Sequence, residues 1–403
     1  MNKPYIEHKI KVMKNVIEEY HWGSHYDIAR LIGSSVPSLK PQAELWMGAH
    51  PKAPSMIEHD GKWISLFELI NEKPLEILGP EIDNMPFLFK VLAAEKPLSL
   101  QVHPDIDFAQ KGFLKENSAG ILINAYNRNY RDSNHKPECV CAITDFWALK
   151  GFQPIDEIVK RFSILCPISL ENEISVLRNN QTDEGLKIFF HDLITSQGIR
   201  KKAILTEALE NCRKYVSNSD ACSWVLNLYE YYPDDITILS PLFLNVVFLR
   251  PGEAMYVLPG ELHSYLKGMA VELTANSDNV LRGGLTSKHK DIPELLEVLR
   301  CESTKTRMIR PQKISQCESI YINNGDAFAL SKISVSQDKS YVNKSHRGIE
   351  IILCTEGTAE LHDWGNNKIN VITSGMSVMI PASVKRYTIS GSAILYKAGS
   401  VIK

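Results

Sequence analysis

The chain has 403 residues, 44% of them hydrophobic and 23% charged, with 45 Lys plus Arg against 47 Asp plus Glu. That length suggests roughly two to three domains and buries enough surface that no disulfide or metal is needed merely to hold a core. A net charge of −2 argues against a nucleic-acid partner, and the composition excludes collagen-like, coiled-coil and disordered classes.

The longest strongly apolar stretch, Pro241 to Leu249, is interrupted by Asn245. It falls far short of the roughly 20 residues of a membrane helix, so no membrane partner is expected. The amino terminus, Met1 to Lys9, is charged and lacks the apolar core of a secretion signal. The 8 cysteines are scattered without a C-x-x-C pair. Free thiols in a reducing cytoplasm are therefore expected.

From about residue 4 to 150, short segments alternate with turn punctuation such as His50-Pro51, Gly79-Pro80 and His103-Pro104. This predicts strands and turns with a few short helices. Between Pro154 and about Tyr232 the period changes. Ile155, Ile158, Val159 and Phe162 fall at helical spacing, as do Leu186, Phe189, Phe190, Leu193 and Ile194, then Leu205, Ala208, Leu209 and Cys212. The short-strand pattern returns from about Ser240, apart from a helix near Ile292 to Leu299. A faint internal echo is also present: Gly252 precedes Pro259-Gly260 and His263, while Gly375 precedes Pro381 with Lys385 in the histidine's place. It points to two related β-sandwich units, only the first with a ligand at that position.

Three segments carry chemistry. Leu98 to His103 alternates strictly, so Ser99, Gln101 and His103 share one strand face and the leucines and Val102 the other. In His135-Lys136-Pro137-Glu138-Cys139-Val140-Cys141, period two sets Glu138 opposite both thiols, which therefore pack as small apolar residues. In Pro259 to Leu266, His263 and Tyr265 share a face. Each segment alone is more ordinary as surface or satisfied structure. Together Gln101, His103, Glu138 and His263 supply an amide oxygen, two imidazoles and a carboxylate. That set suits Zn²⁺, and also Fe²⁺ or Mn²⁺, with room for a substrate oxygen. A fourth segment, Glu272 to Lys288, places Asp278, Arg282 and Lys288 beside Gly283-Gly284, where an anion such as phosphate can be held.

These segments resemble the type I mannose-6-phosphate isomerase family. The match is carried by AELWMG (residues 43–48) with His50-Pro51, KVLAAEKPLSLQVHP (90–104), HKPE (135–138), YVLPGELH (256–263) and SDNVLRGGLTSK (277–288), in the family's order. The resemblance implies a mainly β fold: two cupin-like β-sandwich (jelly-roll) units with an all-helical insert. Its expected divisions are a catalytic unit of residues 1–152 plus 236–305, an insert of 153–235, and a C-terminal cupin-like unit of 306–403 without metal.

The family further implies a zinc-dependent interconversion of mannose 6-phosphate and fructose 6-phosphate, with one Zn²⁺ per chain on Gln101, His103, Glu138 and His263. Its catalytic positions fall on Arg282, Lys136, His135, Asp278 and Glu272, and its substrate-binding positions on Lys90, Ser99, Tyr265 and Lys288. Gly283 stands where relatives often carry Ala. A cytoplasmic monomer serving mannose metabolism and GDP-mannose biosynthesis is expected. Two rival readings are a non-haem Fe²⁺ oxygenase using His103, Glu138 and His263, and a non-catalytic sugar-binding cupin protein.

Overall fold

The computed structural model describes residues 9–59, 61–303, 308–322, 327–343 and 347–401. The expected boundary at 305/306 and most of the charged amino terminus lie outside these residues. The strands of the first two-thirds are β1 Lys11–Lys14, β2 Val16–Glu18, β3 Glu44–Met47, β4 Met56–His59, β5 Lys62–Ser65, β6 Phe87–Ala94, β7 Leu100–Val102, β8 Glu138–Ala142, β9 Phe146–Phe152, β10 Leu244–Leu249, β11 Ala254–Val257, β12 His263–Ala275 and β13 Leu281–Gly284. The fold is mainly β, and among the described residues the strands pair with one another antiparallel.

One 10-stranded sheet runs β10-β9-β12-β6-β3-β2, with β11 on β8 and β13 on β7. Strand β12 is its spine. The carboxyl-terminal half pairs with β6 and β8, and the amino-terminal end with β7 and β9. Strand β6 reads FLFKVLAA and is buried throughout, as a strand covered on both faces must be. At the end of β9, Pro154 closes the strand. Its fixed φ and missing N–H admit the first turn of the helix Ile155–Leu165 but no further ladder.

The insert then folds as expected into helices Ile155–Leu165, Glu171–Asn179, Asp183–Ile194, Gly198–Tyr215 and Asp220–Tyr231. Thr182 and Ser219 cap two of them by accepting backbone N–H groups. The apolar stripes read from the sequence are the buried ones: Ile158, Phe162, Phe189, Phe190, Ala208 and Cys212 all enter one core, which also takes Leu100, Val102 and Leu281 from the sheet.

Two features differ from the expectation. The first unit holds a full helix, Ile106–Ser118, rather than only short ones. Asp105 caps it, and the Tyr130 ring lies against Gly112, where a Cβ would come within 2.3 Å of the ring. From this helix Glu116 accepts the Asn129 and Tyr130 N–H groups at 2.9 and 2.8 Å and meets Arg128 Nε at 3.0 Å. The helix thus pins the loop that leads to Lys136.

Second, strand pairing crosses the expected division. The 11-stranded sheet of the C-terminal unit is completed by β1, β4 and β5, with Lys11 opposite Met379 and Met13 opposite Ile57. The two sheets also share a core in which Phe87, Phe89 and Val271 meet Phe328, Met379 and Tyr396, the Phe87 and Phe328 rings lying 6.5 Å apart. No local signal marks this: each short strand is equally able to pair with either sheet, and only the shared apolar layer decides.

Truncating Phe328 in that layer is expected to cost about 3–5 kcal/mol. Phe328→Ala should therefore lower the midpoint of denaturant unfolding while both sheets still melt in one transition. A loss under about 1 kcal/mol, or two separate transitions, would show that the sheets do not depend on one another.

Candidate metal centre

The three chemical segments meet at the open end of the first sheet. Val257 of β11 faces Glu138 of β8, and Gln101 of β7 stands directly opposite both His263 of β12 and Arg282 of β13. Ser99 and Gln101 line a cavity of about 1470 Å³, while Leu100 and Val102 enter the core behind them. The predicted alternation therefore holds on β7. It holds on β8 too: Cys139 and Cys141 enter the layer between the sheets, away from Glu138.

His103, Glu138 and His263 are buried together, and one ligand atom from each lies within 4.8 Å of the others. Hydrogen bonding fixes their tautomers. His103 Nδ1 lies 2.7 Å from the Asn279 carbonyl oxygen, and His263 Nδ1 lies 2.9 Å from that of Glu261. A carbonyl can only accept, so both Nδ1 atoms carry protons and both Nε2 atoms present lone pairs.

Those lone pairs face a carboxylate, with His103 Nε2 3.1 Å from Glu138 Oε1 and His263 Nε2 3.6 Å from Oε2. His103 Nε2 is buried without a hydrogen-bond partner. Acceptors converging on acceptors require a cation between them. A tetrahedral zinc with bonds of about 2.1 Å sets its ligand atoms about 3.4 Å apart, and these separations fit it. Gln101 donates its amide nitrogen to Ser99 Oγ at 3.0 Å, which leaves the amide oxygen as a further acceptor. The carbonyls behind the imidazoles are the supports that orient metal-binding histidines.

Electrostatics agree. Burial pushes His103 down to about 4, with Lys136 adding to the effect and Glu138 opposing it, and burial lowers His263 as well. Burial alone would raise Glu138, but the Lys136 ammonium holds it well below the usual carboxylate range. Lys136 Nζ is 3.1 Å from Glu138 Oε1, and the Tyr265 hydroxyl donates to Oε2 at 2.6 Å.

The remaining expected residues separate into three groups. Lys90, Ser99, Lys136, Asp278, Arg282 and Lys288 line the cavity. Glu272 and Tyr265 lie behind the wall, both buried: Glu272 binds Lys90 Nζ at 2.8 Å, and Tyr265 holds Glu138 rather than facing the cavity. His135 is half-buried and off the cavity wall. Asp278 Oδ2 lies 3.4 Å from His50 Nε2, a partner the sequence did not suggest.

Three contributors were missed. Glu44 accepts Trp46 Nε1 at 2.6 Å and lies 4.0 Å from Lys90 Nζ. Arg131 stands close enough to Arg282 and Lys288 to lower both, though burial is the larger cause in each. Asn279, fully buried, accepts the Arg131 N–H at 2.7 Å and donates to the Asp132 and Asn134 carbonyls at 2.8 and 2.9 Å. Its place within SDNVLRGG was the only available signal.

Two family models match the chain: the phosphomannose isomerase type I catalytic domain over residues 10–155, and the mannose-6-phosphate isomerase cupin domain over 318–398. Mannose-6-phosphate isomerase of Escherichia coli is 38% identical over 94% of this chain and 96% of its own length. The chain belongs to the type I phosphomannose isomerase family. The human mannose-6-phosphate isomerase is 33% identical over 85% of the chain and 86% of its own length. The solved mannose 6-phosphate isomerase of Salmonella typhimurium, bound to substrate and a zinc atom, superposes with a TM-score of 0.90 at 36% identity, over 98% of this chain and 100% of that one.

The lowered imidazoles give the chelated protein a defined pH response. Unfolded imidazole titrates near 6.5 and folded His103 near 4, so the unfolded state binds more protons between these values. Stability contributed by the neutral ring is full above about pH 6.5 and falls as the pH drops toward 4. The melting temperature of chelated protein should decline across that window, and zinc should raise it most at the upper end. A melting temperature flat from pH 7 to about 4 would contradict the assignment of neutral, buried rings.

Proposed function

We propose that this enzyme interconverts mannose 6-phosphate and fructose 6-phosphate by proton transfer between C1 and C2 through an enediolate, with one zinc ion held by Gln101, His103, Glu138 and His263. The observation that carries the reading is the pair of bare imidazole nitrogens aimed at Glu138, beside Gln101 and Lys136 of a cavity wall that also bears Arg131, Arg282 and Lys288. The catalytic unit is assigned to residues 1–152 plus 236–305, less the strands lent to the other sheet; residues 153–235 form the insert, and 306–403 form a unit without metal.

Bound zinc supplies Lewis-acid polarisation of substrate oxygens. The chain's own groups account for the rest. Lys136, held beside Glu138 on the cavity wall, is the group placed to move the proton between the two carbons. Asp278 and His50, paired at 3.4 Å, suit proton transfer at the ring oxygen during ring opening. Arg282 stabilises developing charge on the substrate oxygens. Lys288 and Arg131 hold the phosphate, whose charge relieves the repulsion among these cations. Lys90 and Ser99 contribute polar wall, with Glu272 and Tyr265 behind it holding Lys90 and Glu138 in place.

All eight cysteines are buried and none is in a disulfide, which suits a reducing cytoplasm. No helix among the described residues is long and apolar enough to cross a membrane. A monomer supplying or consuming mannose 6-phosphate for GDP-mannose biosynthesis is the accompanying proposal.

The test is a coupled assay of fructose 6-phosphate formed from mannose 6-phosphate by zinc-loaded protein. Arg282→Ala is expected to lower kcat by about 100-fold or more with zinc content retained. Loss of zinc in step with activity would mean that Arg282 holds the fold instead, and an inactive parent would end the isomerase reading.

A further inference from the structure

Arg282 lies on an irregular strand. Arg282 pairs with Gln101 and Gly284 with Leu100, so Gly283 is an extra residue and the register shifts there. A bulge of this kind re-aims the neighbouring side chains. Leu285 follows at φ 52, in the left-handed region that a branched side chain rarely adopts, and it is buried. Two groups hold it there. The Leu285 N–H donates to Asp235 Oδ2 at 3.0 Å and to Thr237 Oγ1 at 3.1 Å. Asp235 Oδ1 in turn accepts from the Thr237 N–H and hydroxyl at 2.9 and 2.6 Å.

The approach is close: a Cβ on Gly284 would come within 1.9 Å of Thr237 Oγ1. Asp235 is where the helical insert ends. Its neighbour Asp234 is gripped by Lys201 of the helix Gly198–Tyr215, which donates to the Asp234 carbonyl at 2.8 Å and meets its carboxylate at 2.7 Å.

We propose that Asp235 is a positioning residue for Arg282: with Thr237 it clamps the left-handed Leu285, and the insert thereby fixes where the guanidinium points. The role rests on the isomerase reading above. Both oxygens of the Asp235 carboxylate accept, whereas an asparagine has only one acceptor. Displacing a group by about 1 Å from a productive geometry costs on the order of 100-fold.

In zinc-loaded protein, Asp235→Asn is therefore expected to lower kcat for mannose 6-phosphate by about 10- to 100-fold while zinc content stays at the parent's value. Adding Leu285→Gly, which adopts the same φ without strain, should recover most of the lost kcat. Thr237→Val, which keeps the side-chain shape, should reduce kcat in the same direction. Amide hydrogen exchange across residues 281–288 should quicken in both single variants, a readout that needs no turnover. The clamp is overturned if exchange is unchanged, if kcat stays within about twofold of the parent, or if zinc and kcat fall together without recovery in the double variant. Quickened exchange in an inactive parent would overturn the functional reading instead, and with it any role in aiming Arg282.

Discussion

A buried carboxylate faced by two neutral imidazoles is the constraint from which the rest of the first unit follows. Glu138 is ionised inside protein, where an unpaired charge is costly. Its oxygens are held by Lys136 and Tyr265 and face the two imidazole edges, so every strand that supplies one of these groups must hold register to within a residue. Strand β12 does much of this, carrying His263 and Tyr265 at one end and Glu272 at the other while pairing with four neighbours. The imidazoles gain their direction from outside the sheet, through the carbonyls of Asn279 and Glu261. Asn279 also staples the 131–134 loop, which ties His103, the cationic wall and the Lys136 turn to one residue.

The C-terminal unit solves the same problem with different chemistry. Its buried Glu350 accepts the Tyr387 hydroxyl at 2.8 Å, as Glu138 accepts that of Tyr265. Where the first unit brings Lys136 and two imidazoles, the second brings two permanent cations, Lys397 at 3.3 Å and Arg347 at 3.4 Å. Lys397 also meets Glu318 at 2.7 Å. The echo of Pro381 and Lys385 with Pro259 and His263 is thus accompanied by a real correspondence of buried charge. The second unit shares an apolar core with the first.

The insert has a place in this arrangement. Its core is continuous with the face of the first sheet behind β7 and β13, so the helices are not an appendage. They reach the cavity through the segment at Asp235, and the hydrogen bonds of that segment fall on the turn next to Arg282. The sheet edge that carries Arg282 is otherwise poorly defined, because an edge strand lacks a second neighbour.

Much of this chemistry could be read from the chain alone, because period two is local. Alternation in LSLQVH set Gln101 with Ser99, and alternation in HKPECVC set Glu138 against the thiols; both hold because strand pleating leaves no other choice. Helical spacing identified the insert and its buried stripes for the same reason. The conjunction of motifs identified the family, since five segments in order are far more specific than any one. What lay beyond the sequence was decided by contacts between distant residues. Tyr265 and His135 sit in motifs beside ligands, but only packing turned Tyr265 toward Glu138 and kept His135 off the wall. Strands β1, β4 and β5 joined the second sheet because an apolar layer shared by two sheets, and no local preference, selects the partner. The bulge at Gly283 and the left-handed Leu285 have no pattern in the sequence, because the acceptors that hold them arrive from the far end of a helical insert.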